Sequence, residues 1–261
     1  MKKLIEYTLL ELKILFRVPI FIFFTMLFPI LMLTIFVLSS KNPIIIDDIR
    51  FVDVYLPAMM LLSLFSSGIT SIAVIVAGNR GNNVWQIYRL RGFKISELFF
   101  VTMFVNIFLS FISCLFLVIF SNITFQAKLP PLPNLISFIL IWFIVAIAIF
   151  MIGFLIGVFC KSEKIAQSIS TPLMFILMVV SGIMVNERDF PQLFQNIFSC
   201  FPSNQANKIL VAYWTGIDNS QINWWILMGW IVVSAICVFI NLYKVDIKSG
   251  KKIRTGIIKM R

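Results

Sequence analysis

Six apolar blocks, at 20–39, 56–77, 99–120, 135–159, 166–185 and 224–243, fill most of this chain, and each is long enough to cross a bilayer. A spanning helix needs about 20 predominantly apolar residues at 1.5 Å rise per residue. Hydrocarbon offers the backbone no hydrogen-bond partner, so such a block bonds internally as a helix. Composition points the same way. The chain is 60% hydrophobic and 13% charged, where a soluble chain carries about 25% charged residues. The expected fold is all-α: a polytopic membrane protein with six transmembrane helices, an N-terminal interfacial amphipathic helix, and short re-entrant or interfacial helices before the last span.

The cations orient these spans. Lys2, Lys3, Lys13 and Arg17 precede the first block, and Arg80, Arg89, Arg91 and Lys94 separate the second from the third. Lys161 and Lys164 follow the fourth block. Lys244, Lys248, Lys251, Lys252, Arg254, Lys259 and Arg261 follow the sixth. The alternate loops hold fewer cations and most of the acids, Asp47, Asp48, Asp53, Glu187, Asp189 and Asp218 among them. Loops rich in Lys and Arg stay cytoplasmic, which places both termini inside and the chain in the cell membrane. The net charge of +11 then belongs to a face that meets anionic headgroups. No soluble domain exists to present a groove-reading element, so no nucleic acid is expected as partner.

The whole chain, 1–261, reads as one transmembrane domain with four accessory segments. Residues 1–18 form an interfacial helix with Lys2, Lys3, Glu6, Lys13 and Arg17 on one face and Leu4, Ile5, Leu9, Leu12, Leu15 and Phe16 on the other; Glu11 lies near the edge of the apolar arc. The basic loop 78–98 contains two helical turns, with Val84, Ile87, Tyr88 and Arg91 on one side and Trp85 and Tyr88 as headgroup-level anchors. The segment 186–223 is extracellular or re-entrant: Phe190, Phe194 and Phe198 follow helical spacing, and Ile209, Leu210, Val211, Tyr213 and Trp214 form a second cluster. Residues 244–261 are a basic cytoplasmic tail. The first block is too long for a signal h-region and lacks a small-residue cleavage site, so it is expected to be retained.

No Asp, Glu, Lys or Arg falls inside the six blocks. Coupling ions and gating charges in membranes are handled by such residues, which argues against a proton-coupled carrier, a pump or a voltage sensor. Ser63, Ser66, Ser67, Thr70 and Ser71 form a polar stripe on the second block. It serves either to pack helices, as small polar residues in spans usually do, or to line a cargo path. Gly153 and Gly157 permit close helix approach, and Pro29 and Pro172 interrupt blocks one and five. Cys114, Cys160, Cys200 and Cys237 lack metal-ligand spacing and the chain has no His, so no metal site is expected and the thiols read as packing residues. There is no phosphate-binding G-x-x-x-x-G-K-[ST] loop and no Ser–His arrangement; catalytic residues are none.

In this order the features resemble the permease subunits of ABC-2 type exporters. The resemblance rests on the amphipathic start leading through Arg17-Val18-Pro19, the entry Tyr55-Leu56-Pro57-Ala58 and the basic loop 79–94. It rests also on Ser181-Gly182-Ile183-Met184 followed by Phe190-Pro191 and then Pro202. The loop departs from the family pattern: Asn79, Asn82 and Asn83 stand where acids are usual, and Phe93-Lys94 replaces Thr-Pro.

The resemblance implies a permease without its own ATPase site, bearing on a dimeric ABC ATPase and paired with a second permease subunit, identical or related. ATP and Mg would sit on the partner chain, and no cofactor on this one. Val84, Trp85, Ile87, Tyr88, Arg89 and Arg91 would form the ATPase-coupling surface, the serine-threonine stripe the cargo path, and Phe190, Phe194 and Phe198 an extracellular gate. The cargo would be an amphipathic drug or peptide. A lipid-linked polysaccharide or teichoic acid is the alternative within the family. An ATP-independent carrier or a non-transporting immunity or scaffold protein is the alternative outside it.

Overall fold

A computed structural model describes residues 2–16, 19–46, 49–185, 189–217 and 222–259. The segments Arg17-Val18 and Asp47-Asp48, the acids Glu187 and Asp218, and the side chains of the basic tail lie outside the described residues.

The chain is a multi-pass membrane protein, 84% helical. Helix α1 spans Lys2–Phe16, and α2 joins Pro19–Ile22, Phe23–Leu27 and Phe28–Ser40. Helix α3 (Phe51–Gly81), the short α4 (Val84–Leu90), α5 (Ile95–Phe125) and α6 (Leu132–Phe159) follow. Then come α7 (Glu163–Val180), α8 (Gln192–Ser199), α9 (Pro202–Thr215) and α10 (Trp224–Lys259). Six of them, α2, α3, α5, α6, α7 and the first half of α10, are long and apolar enough to cross a membrane. A two-stranded antiparallel ribbon, β1 (Ile44–Ile46) and β2 (Ile49–Arg50), closes the link between α2 and α3 and was not legible as strand.

The central element is α3. In its most apolar stretch 78% of residues are buried, against 17% in α10. It packs on α2, α5, α6, α7 and α9, while α10 lies at the periphery against α6. Two spans carry a widened turn of π-helix, at Phe23–Leu27 in α2 and Ser66–Ser71 in α3. The first has a cause in sequence. An α-helix would pair the Thr25 carbonyl with the N–H of residue 29, and Pro29 has none. The second lets α6 approach: Gly153 meets the Gly68 backbone, and Gly157 faces Ala73 and Val76. Any side chain at Gly153 would collide with that backbone, so the small pair on α6 sets the distance between the two most buried helices.

Some helices end elsewhere than the apolar blocks do. Helix α3 runs on to Gly81, α5 starts at Ile95, and α10 continues as helix to Lys259. The block at 166–185 instead stops being helix at Val180. Gly182 takes a φ of +79° there, and the carbonyls left open at Val180 and Ser181 accept from Asn204 Nδ2 at 3.0 Å and Asn207 Nδ2 at 2.9 Å on α9. These amides explain why α9 is buried at its polar end, Ser203, Asn204 and Gln205, as well as at Ile209, Leu210 and Trp214.

Candidate functional site

Two neighbouring regions have the form of a working site: the basic end, where α1 and α4 meet the spans, and a crevice one turn deeper. At the basic end Trp85 is buried against Phe154 of α6, ring centres 6.5 Å apart. The headgroup-anchor role expected for this residue is therefore corrected: the short α4 turns its indole inward. Tyr88 is half-buried and meets Tyr7 of α1 edge to face at 4.8 Å and Phe93 at 5.7 Å. Val84, Gln86 and Arg89 are half-buried. What α4 shows to solvent is Ile87, 51% exposed, and Leu90, 71% exposed, with Arg91 beside them. Leu90 was not among the sequence candidates, although an isolated leucine between two arginines was the available signal.

Helix α1 is turned differently from its sequence pattern. Leu9 is exposed, and the face it buries is Tyr7, Glu11 and Leu15, one turn apart along the axis. Glu11 is 6% exposed, and its Oε1 accepts from Tyr7 Oη at 2.7 Å and Thr102 Oγ1 at 2.7 Å. Burial raises its pKa above the ordinary carboxylate value, although both hydrogen bonds pull the other way. Burial likewise pushes the Tyr7 phenol up, assisted by the neighbouring carboxylate. A lone Glu between leucines carried the sequence signal for this buried acid.

Thr102 begins a stripe on α5 that continues through Asn106, Ser110 and Ser113 and faces the serines of α3. Ser71 Oγ donates to Asn106 Oδ1 at 3.3 Å, and the Ser67 and Ser110 hydroxyls are 2.6 Å apart. Ser63 and Ser113 both donate to the Thr25 carbonyl at 2.6 Å, the acceptor that Pro29 leaves open. Ser63 and Ser67 therefore join α2, α3 and α5 inside the chain. Ser66 and Thr70 face another way, into a crevice of about 150 Å³, whose edge Ser71 reaches while bonded to Asn106. Val74 and Ile75 of α3, Leu15 of α1, Phe21 and Phe24 of α2, and Gln167, Thr171 and Met174 of α7 also line it. Among the described residues no charged side chain lines it, and among them Thr171 Oγ1 is buried without a hydrogen-bond partner.

At the far end Phe190 and Phe198 meet edge to face at 5.2 Å, with Phe194 6.1 Å from Phe198. All of α8 is unburied within this chain; Leu193 is 66% exposed. Asp53, 4% exposed in the first turn of α3, accepts from the backbone N–H of Arg50 at 2.9 Å and of Lys128 at 2.7 Å, tying the ribbon to the α5–α6 loop. Among the described residues no cluster of His, Cys, Asp and Glu could hold a metal ion.

The family model described as ABC-2 family transporter protein matches residues 47–243, about three quarters of the chain. No curated protein compared with the chain matches it.

Proposed function

The chain belongs to the ABC-2 transporter family, and from that premise we propose that it is the membrane-spanning permease subunit of an ATP-driven exporter that moves a small amphipathic cargo. The observation that carries this reading is the crevice between α1, α2, α3 and α7, lined by phenylalanines and aliphatics with hydroxyls and one amide, and, among the described residues, by no charged group. Such a lining matches a molecule that is apolar over most of its surface and hydrogen-bonds at a few points. At about 150 Å³ within one chain the crevice is smaller than a drug-sized site of about 300–1,000 Å³, so in this reading a second subunit supplies the rest of the wall.

In this reading the basic end is cytoplasmic, and Ile87, Leu90 and Arg91 rest on the partner ATPase. A push on α4 reaches α1 through Tyr88 and Tyr7, and α5 through Glu11 and Thr102. The paired stripes on α3 and α5 then pass it to the widened turn at Thr25, whose neighbours Phe21 and Phe24 wall the crevice. ATP and Mg sit on the partner, and a second permease subunit completes the pathway.

The test is co-reconstitution of the chain with its cognate ATPase in liposomes, following ATP-dependent movement of amphipathic fluorescent dyes. Movement should require both chains and ATP, and Thr70→Phe, which fills the crevice, should abolish it without reducing the amount of assembled complex. Dye movement driven by an ion gradient in the permease alone would overturn the proposal in favour of an autonomous carrier.

A further inference from the structure

A second cavity, of about 260 Å³, lies beside the cargo crevice, between α1, α2 and α5. Leu109, Ile112 and Phe116 form its α5 wall, and Ile22, Thr25 and Met26 its α2 wall. Leu15 and Phe21 line both cavities and so stand between them. At its rim Phe116 is 53% exposed on a helix long and apolar enough to cross a membrane, so the cavity opens towards lipid. Thr25 lies about 9 Å along the helix axis from Pro19 at 1.5 Å per residue, within the hydrocarbon of one leaflet, about 15 Å deep.

Thr25 gives this cavity its chemistry. The residue is 1% exposed, and among the described residues its Oγ1 is buried without a hydrogen-bond partner. Ser63 and Ser113 donate to its carbonyl and leave the hydroxyl untouched. A threonine inside a helix can return its hydroxyl to the carbonyl four residues back, as Thr34 of the same helix does to Ile30 at 2.8 Å. Thr25 sits in the widened turn Phe23–Leu27 and makes no such bond. A trapped water does not answer it, because a buried water needs at least two polar partners. Among the described residues the other lining side chains are hydrocarbon or thioether, and the Thr25 carbonyl already has both serines on its two lone pairs. The cavity therefore offers one hydrogen-bond donor in an apolar wall.

We propose that this cavity binds a small lipophilic molecule carrying one hydrogen-bond-accepting oxygen, an alkyl ester or ketone, drawn from the bilayer and held by the Thr25 hydroxyl. The size agrees. An apolar cavity of about 150 Å³ takes benzene, and sites for drug-sized ligands begin at about 300 Å³; this cavity, at about 260 Å³, lies between the two. A phospholipid acyl chain would cover the apolar walls, but its ester oxygens stay at the headgroup level and leave the hydroxyl unanswered. A ligand seated here bears on Leu15 and Phe21, and through them on the wall of the crevice. Binding needs neither ATPase nor cargo, and so stands apart from the exporter reading.

The test is photolabelling of the full chain in nanodiscs with two diazirine probes of matched length and bilayer concentration, an alkyl ester and an alkane, with adducts mapped by mass spectrometry. The ester should label Ile22, Met26 or Ile112 several-fold more than the alkane does. Thr25→Val, which keeps the shape and removes the orphan hydroxyl, should bring the ester down to the alkane level and melt no lower than wild type. Thr25→Ser, which keeps the hydroxyl, should keep the preference. Thr70→Phe, which fills the crevice, should leave the labelling unchanged. Equal labelling by the two probes in the wild type, or a preference that survives in Thr25→Val, would overturn the proposal and leave an ordinary lipid-filled cleft. A clear fall in the melting temperature of Thr25→Val would show a hydroxyl already bonded within the protein and overturn it equally. Absence of adducts on the α2 and α5 walls would overturn it in favour of a cavity closed to the bilayer, and loss of labelling in Thr70→Phe in favour of a single cargo site.

Discussion

Thr102 Oγ1 donates a 2.7 Å hydrogen bond to Glu11 Oε1, and this bond fastens the interfacial helix to the third spanning helix. The same oxygen accepts from Tyr7 Oη at 2.7 Å, and Tyr7 packs edge to face on Tyr88. A buried carboxylate thus stands where the basic-end helix α4, the interfacial α1 and the polar stripe of α5 converge. Removing the acceptor strands two buried donors, whereas Glu11→Gln keeps an oxygen in place. An unsatisfied buried hydroxyl costs about 1–3 kcal/mol. Glu11→Ala should therefore lower stability by about 2 kcal/mol or more, and Glu11→Gln by much less, as measured by thermal unfolding in detergent. Equal losses in both variants would show that volume, not hydrogen bonding, holds the junction.

The raised pKa of Glu11, caused first by burial, gives a signed dependence on pH. The folded protein binds this proton more tightly than the unfolded chain, so stability falls as pH rises from the ordinary value of 4.5 through the folded-state value. Glu11→Gln cannot lose that proton. The melting temperature of the wild type, read against Glu11→Gln, should drop across that window from its acid side to neutral pH. A constant difference would mean that Glu11 titrates as it does in the unfolded chain.

The open carbonyl of Thr25 couples a proline to two serines on other helices. Ser63 and Ser113 both point their hydroxyls at it from 2.6 Å, because Pro29 cannot. Hydrogen bonds between spanning helices average about 0.6 kcal/mol, so Ser63→Ala/Ser113→Ala should cost about 1 kcal/mol in the native background. In Pro29→Ala the backbone N–H at 29 returns, and the same double substitution should cost clearly less. A double-mutant cycle by thermal or denaturant unfolding measures the difference, and full additivity would refute the coupling.

Hydropathy made the six spans legible because hydrocarbon imposes one rule on every residue of a crossing helix. Glu11 was harder to read, because the periodicity of α1 is imperfect. Its buried face is chosen by what α5 and α4 present, Thr102 and Tyr88, and neither is visible in the pattern of 1–18. The serine stripe of the second block was legible as a stripe, but its use was not. Ser63, Ser67 and Ser71 bond to α2 or α5 while Ser66 and Thr70 line the crevice, and which neighbour each hydroxyl meets depends on helices remote in sequence. The buried amides of α9 had no signal before α7 was seen to end at Val180.

Gly153 provides a packing test with an internal control. Its added Cβ would meet the Gly68 backbone, which cannot rotate away, whereas a Cβ at Gly229 on α10 meets nothing within 4 Å. Overpacking a close contact costs about 1–3 kcal/mol. Gly153→Ala should lower thermal stability by several degrees, and Gly229→Ala should leave it unchanged or raise it, since Ala has the higher helix propensity. Similar behaviour of the two variants would mean that α3 and α6 can part without loss.

The two sides of α4 separate folding from coupling. Trp85 is 4% exposed and packs on Phe154, so Trp85→Ala should cost about 3–5 kcal/mol and reduce the amount of folded protein whatever its partner. Ile87 and Leu90 are 51% and 71% exposed and touch the fold far less, so Ile87→Glu/Leu90→Glu should leave thermal stability within about 0.5 kcal/mol of wild type. If their exposure serves the ATPase, the same double variant should lose cargo-dependent ATP hydrolysis in the reconstituted complex, either by failing to hold the ATPase or by holding it unproductively. Pull-down distinguishes these two outcomes, and both place the coupling surface on this face. Full transport and normal ATPase retention by the double variant would remove Ile87 and Leu90 from the interface and return the search to Arg91 and the exposed Leu9 and Leu10 of α1.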